Sequence, residues 1–210
     1  PFSKIAEPNK LPKAIFIPAI STAPFGPDYN FIMENSSSGF QAGINVLKKL
    51  ADCDIHLVVD HKSDALVFKE AENVILHTFS GPHPSGNVGV HIFHIDPIEN
   101  KDDMVWYVGL QDIMSIGKLF LNGKADFTKI ITMGGSSLQK RQYYQMTRGS
   151  IISDILDDNL IDDDSRIISG DVLSGSRTNI DNALGFYHDI LTVIPESSHR
   201  EFLGWIKPGI

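Results

Sequence analysis

The sequence predicts an α/β chain, α+β overall, with a Rossmann-like domain followed by a small β-grasp domain. Three observations predict it. Apolar strand-like runs alternate with segments of helical period through the first 126 residues. Near Phe127 that alternation gives way to short strands broken by glycine turns. The order strand, turn, strand, helix, strand then runs over the next stretch of chain, as a β-grasp unit requires.

The elements follow in order. Residues 1–12 are polar with three prolines and read as a linker. Ala14 to Ile20 is the first strand, although Pro18 has no N–H to give to a ladder. A Pro-, Gly- and Ser-rich loop runs to Ser38, which is placed as the N-cap of a helix. Gln41, three residues on, completes a capping box. Phe40, Ile44, Leu47 and Ala51 share that helix's apolar face. Ile55 to Val59 is a strand, Ser63 to Lys69 a short helix, and Asn73 to His77 a third strand. From Gly81 to Ile95 the pattern reads as a loop entering a helix. Pro84 sits in its first turn, and Val88, Ile92 and Ile95 form its apolar face. A strand from Val90 to Ile95 is the alternative. Met104 to Val108 is strand-like. Leu110 to Leu121 is a helix with Ile113, Met114, Gly117 and Phe120 inward, stopped by Asn122-Gly123.

Beyond Phe127, Lys129 to Met133 and Gln142 to Met146 are strands around a Gly134-Gly135 turn. Ser150 caps a helix from Ile151 to Leu156. Arg166 to Ile168 is a further strand, and Asp189 to Ile194 a candidate last one. The predicted division is a linker at 1–12, a Rossmann-like domain at 13–126, a β-grasp domain at 127–180 and a C-terminal extension at 181–210.

Composition narrows function. A net charge of −8 argues against a nucleic-acid partner, which needs clustered Lys and Arg. Lys140-Arg141 is the densest basic pair and reads as a solvated strand end. The lone Cys53 cannot hold an iron–sulfur cluster or a thiolate zinc site by itself, and reads as a half-buried structural thiol. No apolar run reaches the ~20 residues of a membrane-spanning helix. Pro1 without a Met, and an end at Ile210 with no closing element, read as a piece of a longer protein.

A dinucleotide site would need Gly-x-Gly-x-x-Gly after the first strand. Gly26, Gly39 and Gly43 have the wrong spacing, and Pro24 and Pro27 crowd the loop. Asp60 then reads as a surface acid at a strand end. His83, His91, His94 and Asp96 read as hydrogen-bonded or interface groups. The acidic residues from Asp157 to Asp164 lack the glycine and glutamate of a calcium loop. No catalytic residue and no metal site is expected. Two turn-dense loops stand out instead, Phe79 to Gly86 and Ser169 to Gly175. Their candidate residues are Gly81, Pro82, His83, Pro84, Gly86, Gly170 and Gly175.

Several segments together resemble one family. They are PFSK at Pro1 to Lys4, AIF at Ala14 to Phe16, FQAG at Phe40 to Gly43, SGPHPSG at Ser80 to Gly86 and VGVHIFHIDP at Val88 to Pro97. QDIMSIGKLFLNG at Gln111 to Gly123, RIISGDVLSG at Arg166 to Gly175 and FLGWIKPG at Phe202 to Gly209 complete the set. Over nearly its whole length the chain is similar to the A subunits of the Na+-translocating NADH:quinone oxidoreductases. The resemblance implies that the β-grasp unit is an SLBB domain. It implies a peripheral subunit on the cytoplasmic face of the bacterial inner membrane, docked on membrane subunits. Such a subunit contributes to assembly and to the ubiquinone-reduction side without a redox centre or catalysis of its own. Ubiquinone and NADH are used by the whole complex, and no cofactor is expected in this part. Quinone contacts, if they lie here, are placed at Phe2, Ser3, Lys4, Phe25 and Phe31, which offer rings and donors. The alternative is a flavin- and NADH-binding electron-transfer subunit of Rnf or complex I type. The missing glycine motif counts against it.

Overall fold

Strand pairing in the first half is wholly parallel. A computed structural model describes residues 5–7, 9–34, 36–162 and 164–196. Strands β1 (Ala14–Ala19), β2 (Asp54–Asp60), β3 (Ile75–Phe79) and β4 (Val105–Tyr107) form a sheet in the order β3-β2-β1-β4. Ile15 pairs with Ile55 and Trp106, and His56 with Ile75. Both faces of a parallel sheet are covered, so its central strand is apolar throughout rather than alternating. Accordingly Ala14, Ile15, Phe16 and Ile17 are all fully buried. Pro18 is tolerated for a geometric reason. The Phe16 carbonyl accepts from Val108 N, so the even-numbered peptide groups of β1 face β4. Pairing with β4 ends at Phe16 and Tyr107, and Pro18 lies past it, where no ladder donor is needed.

Helices α2 (Ser37–Leu50) and α5 (Leu110–Asn122) cover one face. Phe40, Ile44, Leu47, Leu110 and Ile113 pack there on Ile15, Ile17, Ile55 and Leu57. Helix α4 (Val88–Ile95) covers the other, setting Val88, Ile92 and Ile95 on Phe16, Ile20 and Val58. His56 lies on that second face, with Nδ1 3.0 Å from His77 Nε2. Two short helices, α1 (Tyr29–Ile32) and α3 (Leu66–Lys69), sit in the connections.

Several expectations are corrected. The α2 N-cap is Ser36 and makes no side-chain cap bond. Gln41 instead clamps the Glu72 peptide, accepting from its N–H at 2.9 Å and donating to its carbonyl at 3.1 Å. Tertiary bonding has taken the side chain that the capping box would use. Phe120 is 68% exposed rather than inward. The stretch before Ile95 is a helix, but it starts at Val88 behind Asn87, not at Pro84. Ser85 N bonds to Pro82 O and Asn87 N to Pro84 O, so successive turns occupy the residues before it. His83–Pro84 is a cis peptide. Strand β3 starts at Ile75 because Asn73 adopts a positive φ of 62°.

The second sheet contains β5 (Thr128–Gly134), β6 (Gln142–Thr147), β7 (Ser165–Ser169), β8 (Ser176–Thr178) and β9 (Ile190–Pro195). Their order is β6-β5-β9-β7-β8. Strand β9 runs parallel to β5 and antiparallel to β7, so the last described strand is the central one. Helix α6 (Ile152–Leu156) packs Ile152, Ile155 and Leu156 on Ile131, Met133, Leu191 and Val193. The architecture is thus a four-stranded parallel α/β sheet followed by a five-stranded mixed sheet, a mixed α/β chain as the sequence predicts. No described helix is long and apolar enough to cross a membrane.

Gly43 and Gly117 set the α2–α5 distance. A Cβ on Gly117 would run into Gly39 O, and one on Gly43 into Ile113 O. Of the glycines that fail as a nucleotide fingerprint, Gly43 therefore serves helix packing. Gly117→Ala must push α2 from α5 and is expected to cost about 1–3 kcal/mol. That corresponds to a drop in Tm of roughly 2–4 °C per kcal/mol at this size. Differential scanning calorimetry checks it, and an unchanged Tm refutes the close-packing account.

Candidate functional site

Parallel α/β sheets bind ligands beyond the carboxyl ends of their strands, where the backbone leaves the sheet. The carboxyl end of β1 opens here onto the chain from Ile20 to Asp28. This segment is held against the second sheet rather than over α2. Thr132 Oγ1 donates to Phe25 O at 2.6 Å, and Asp28 N donates to the Tyr143 hydroxyl at 2.9 Å. The Phe31 ring packs on Tyr143 at a tilt of 42°, with centroids 4.7 Å apart. Phe25 packs on Gly134, where a Cβ would overlap its ring.

Side chains from both sheets lock this seam. Gln111 on α5 grips the Ile130 peptide in β5 through two hydrogen bonds of 2.8 Å. Arg148, after β6, places Nη2 2.5 Å from Asp112 Oδ1 off the hydrogen-bond line, and its guanidinium lies 4.8 Å over the Phe186 ring. Lys129 is only 4% exposed, and its Nζ lies 2.6 Å from Asp189 Oδ1. The other Asp189 oxygen accepts from the Tyr29 hydroxyl at 3.1 Å. Burial, and then the Asp189 charge, hold the Tyr29 phenol well above its ordinary value.

Between these clamps lies an open cleft of about 210 Å³. The two turn-dense loops meet there. Gly86 from the first and Gly170 from the second both line it. Gly86 approaches so closely that a Cβ would sit 2.8 Å from Thr22 N. Gly86 N donates to Thr22 Oγ1 at 2.9 Å, and the same hydroxyl shares a 3.3 Å hydrogen bond with His83 Nδ1. Ser85 Oγ donates to Gly81 O at 2.8 Å, and the buried His91 donates from Nε2 to Ser85 O at 2.8 Å. The reading of His91 as a hydrogen-bonded histidine holds. Pro82 and Pro84 shape the turns behind the cleft rather than its wall.

In the second loop Gly170 has a φ of 103°, which only glycine takes without strain. Its Cα face abuts Gly175. Asp171 caps the turn, accepting from Leu173 N at 2.7 Å, Ser174 N at 3.0 Å and Ser174 Oγ at 2.7 Å. Burial pushes its carboxyl up, but these hydrogen bonds outweigh that and leave it below its ordinary value. The sequence pattern did not reveal the seam: nothing in it joins Gln111, Arg148, Lys129 and Asp189. Ser169 and His188, joined at 2.7 Å on the cleft's second-sheet side, were equally silent as a pair. Of the candidate quinone contacts, Phe25 and Phe31 lie on the seam at 44% and 52% exposure. Phe2, Ser3 and Lys4 lie outside the described residues.

Both the sequence and the fold have known relatives. A family model described as the NqrA second alpha/beta domain matches residues 1–125, and one described as the NQRA C-terminal domain, of SLBB type, matches 130–179. The chain belongs to the NqrA family. The A subunit of the Na+-translocating NADH-quinone reductase of Yersinia pestis (strain Angola) is 36% identical over the whole chain. That of Neisseria meningitidis serogroup B is 36% identical over 99% of the chain, and that of Klebsiella pneumoniae 35% over all of it. The chain spans 46% of the length of each of these NqrA relatives. In fold it is similar to crystal structures of NAD+-reducing NiFe-hydrogenase. The H2-reduced and air-oxidized states give TM-scores of 0.60 and 0.62 at 11% and 12% identity. Each match covers 90% of this chain and 41% of the hydrogenase chain, and it speaks to fold alone.

The clamps have measurable consequences. Gln111→Ala strands the Ile130 N–H and carbonyl and is expected to cost about 1–3 kcal/mol. Urea denaturation monitored by circular dichroism tests this, and an unchanged midpoint would refute the clamp. His56, His77, His91 and His188 are all held below their ordinary value of 6.5, chiefly by burial. The unfolded chain therefore takes up protons that the fold resists. Stability is full above pH 6.5 and falls as pH drops below it. A Tm that stays flat between pH 7.5 and about 5 would contradict this.

Proposed function

We propose that this chain is the central part of the A subunit of a Na+-translocating NADH:quinone reductase. In this reading it is peripheral and sits on the cytoplasmic face of the bacterial inner membrane. It docks other subunits and contributes to the ubiquinone-reduction side without a redox centre of its own. The observation that carries the reading is the consecutive match of both NqrA family models along one chain. The clamped seam supports it, because a subunit that positions partners needs its two modules at a fixed angle.

Phe25 and Phe31 are proposed as ring contacts for quinone in the assembled complex, together with Phe2, Ser3 and Lys4 upstream. Their half-exposed rings border the seam, and an aromatic contact is worth about 0.5–1.5 kcal/mol. Phe31→Leu in the purified complex is expected to raise the quinone KM roughly two- to tenfold. NADH oxidation by an artificial acceptor stays as in the parent complex. A quinone KM equal to the parent's would remove Phe31 from the proposal. The isolated full-length subunit is expected to show no visible flavin band, and a stoichiometric one would favour the electron-transfer alternative.

A further inference from the structure

The sheet face beneath α4 carries a cross-strand pair of histidines. The register sets Ile75 opposite His56 and His77 opposite Val58, so His56 on β2 and His77 on β3 are diagonal neighbours. His56 Nδ1 lies 3.0 Å from His77 Nε2, and the ring centroids are 5.1 Å apart. His56 is only 6% exposed, with the Phe16 ring 4.7 Å from its own. His77 is half-buried on the edge strand of the sheet. The outer nitrogens, His56 Nε2 and His77 Nδ1, have no partner among the described residues, and neither is sealed from water. Two imidazoles thus turn one nitrogen each toward the other, at the border between the sheet interior and solvent.

We propose that His56 Nδ1 and His77 Nε2 chelate one divalent transition-metal ion of the Cu2+ or Ni2+ class, with water completing its coordination. Donor type and spacing select that class. Imidazole nitrogen suits Zn2+, Cu2+ and Ni2+ rather than Mg2+ or Ca2+. At a metal–nitrogen distance of about 2.0–2.1 Å, two donors at right angles stand about 2.8–3.0 Å apart, and two at the tetrahedral angle about 3.3–3.4 Å. The observed 3.0 Å matches the right angle of tetragonal and octahedral ions, not the wider tetrahedral angle of Zn2+. The acidic groups that act on His56 are Asp54, two residues before it on β2, and Asp96, which also binds Lys13. Both favour a cation. The ion takes the place of the proton shared between the rings. That proton passes through water to the outer nitrogen of the same ring, so both imidazoles stay neutral. Among the described residues no third His, Cys, Asp or Glu joins the pair, so the ion keeps water ligands and exchanges. Once bound, it ties the edge strand β3 to β2. No sequence motif marks the site, because its ligands are 21 positions apart on adjacent strands.

The test uses the full-length subunit, prepared without a histidine tag and stripped of metal with a chelator. It is titrated calorimetrically at neutral pH with NiCl2 and, separately, with ZnCl2. One equivalent of Ni2+ is expected to bind saturably with a micromolar Kd, and Zn2+ several-fold more weakly. His77→Ala is expected to weaken Ni2+ binding at least tenfold. His61→Ala, which removes an exposed histidine outside the pair, binds Ni2+ as the parent does. Cu2+ added to the parent is expected to give a tetragonal EPR spectrum with nitrogen splitting from two imidazoles, and His77→Ala loses that pattern. If His77→Ala fails to fold, the parent EPR spectrum decides: two-imidazole splitting supports the pair, and its absence overturns it. No saturable Ni2+ site in the parent, parent-like Ni2+ binding by folded His77→Ala, or tighter binding of Zn2+ than of Ni2+ overturns the proposal. None of these results touches the reductase assay on Phe31→Leu, so the two readings fail separately.

Discussion

Lys129 cannot be buried without Asp189, and much of the molecule is arranged around that constraint. An ammonium group that is only 4% exposed is sustained by a carboxylate at 2.6 Å and by the Phe186 carbonyl. Asp189 immediately precedes β9, so the pair holds the central strand of the second sheet in register with β5. The second oxygen of Asp189 binds Tyr29 of the first module. One ion pair therefore orders a sheet, joins it to its neighbour and forms part of the cleft wall. With Gln111 and Arg148 it makes the seam a cluster of desolvated polar contacts rather than a greasy patch.

Such a seam explains what the sequence showed and what it hid. Strand and helix existence was legible because burial on both sheet faces leaves long apolar runs, as in Ala14 to Ile17, and one-sided burial leaves a helical stripe, as in Phe40, Ile44 and Leu47. Helix starts were less legible. Ser38 and Gln41 compose a capping box on paper, yet Gln41 is drawn off to the Glu72 peptide. Pro84 looks like a first-turn proline, yet the turns around it are closed by their own backbone bonds. Both errors come from partners and turns that the local pattern does not carry.

The site was half legible for the same reason. Glycine and proline density marked the loops at Gly81 to Gly86 and Gly170 to Gly175, and the fold brings Gly86 and Gly170 to one cleft. The groups that give the cleft its polarity come from elsewhere. Thr22 lies just past the end of β1, and Ser169 and His188 are nineteen positions apart. Nothing in their spacing joins them. The ring contacts suggested at Phe25 and Phe31 reflect real exposure, yet both residues also bind the two modules together, so their chemistry and their mechanics are shared.

The position of β9 bears on how the chain is made. On the ribosome, β5 and β6 emerge as a hairpin more than forty residues before their central neighbour. Until Ile190 to Pro195 arrives, the inner edges of β5 and β7 stay unpaired, a template for the wrong strand. The parallel sheet closes earlier, since all its strands precede Leu110. Synthesis thus delivers a finished platform first and an unfinished sheet beside it. Non-local pairing of this kind is slow, because the intervening loop must be closed before any contact rewards it. The seam residues Tyr29, Gln111 and Asp112 are already in place by then, ready to receive the late strand and its module.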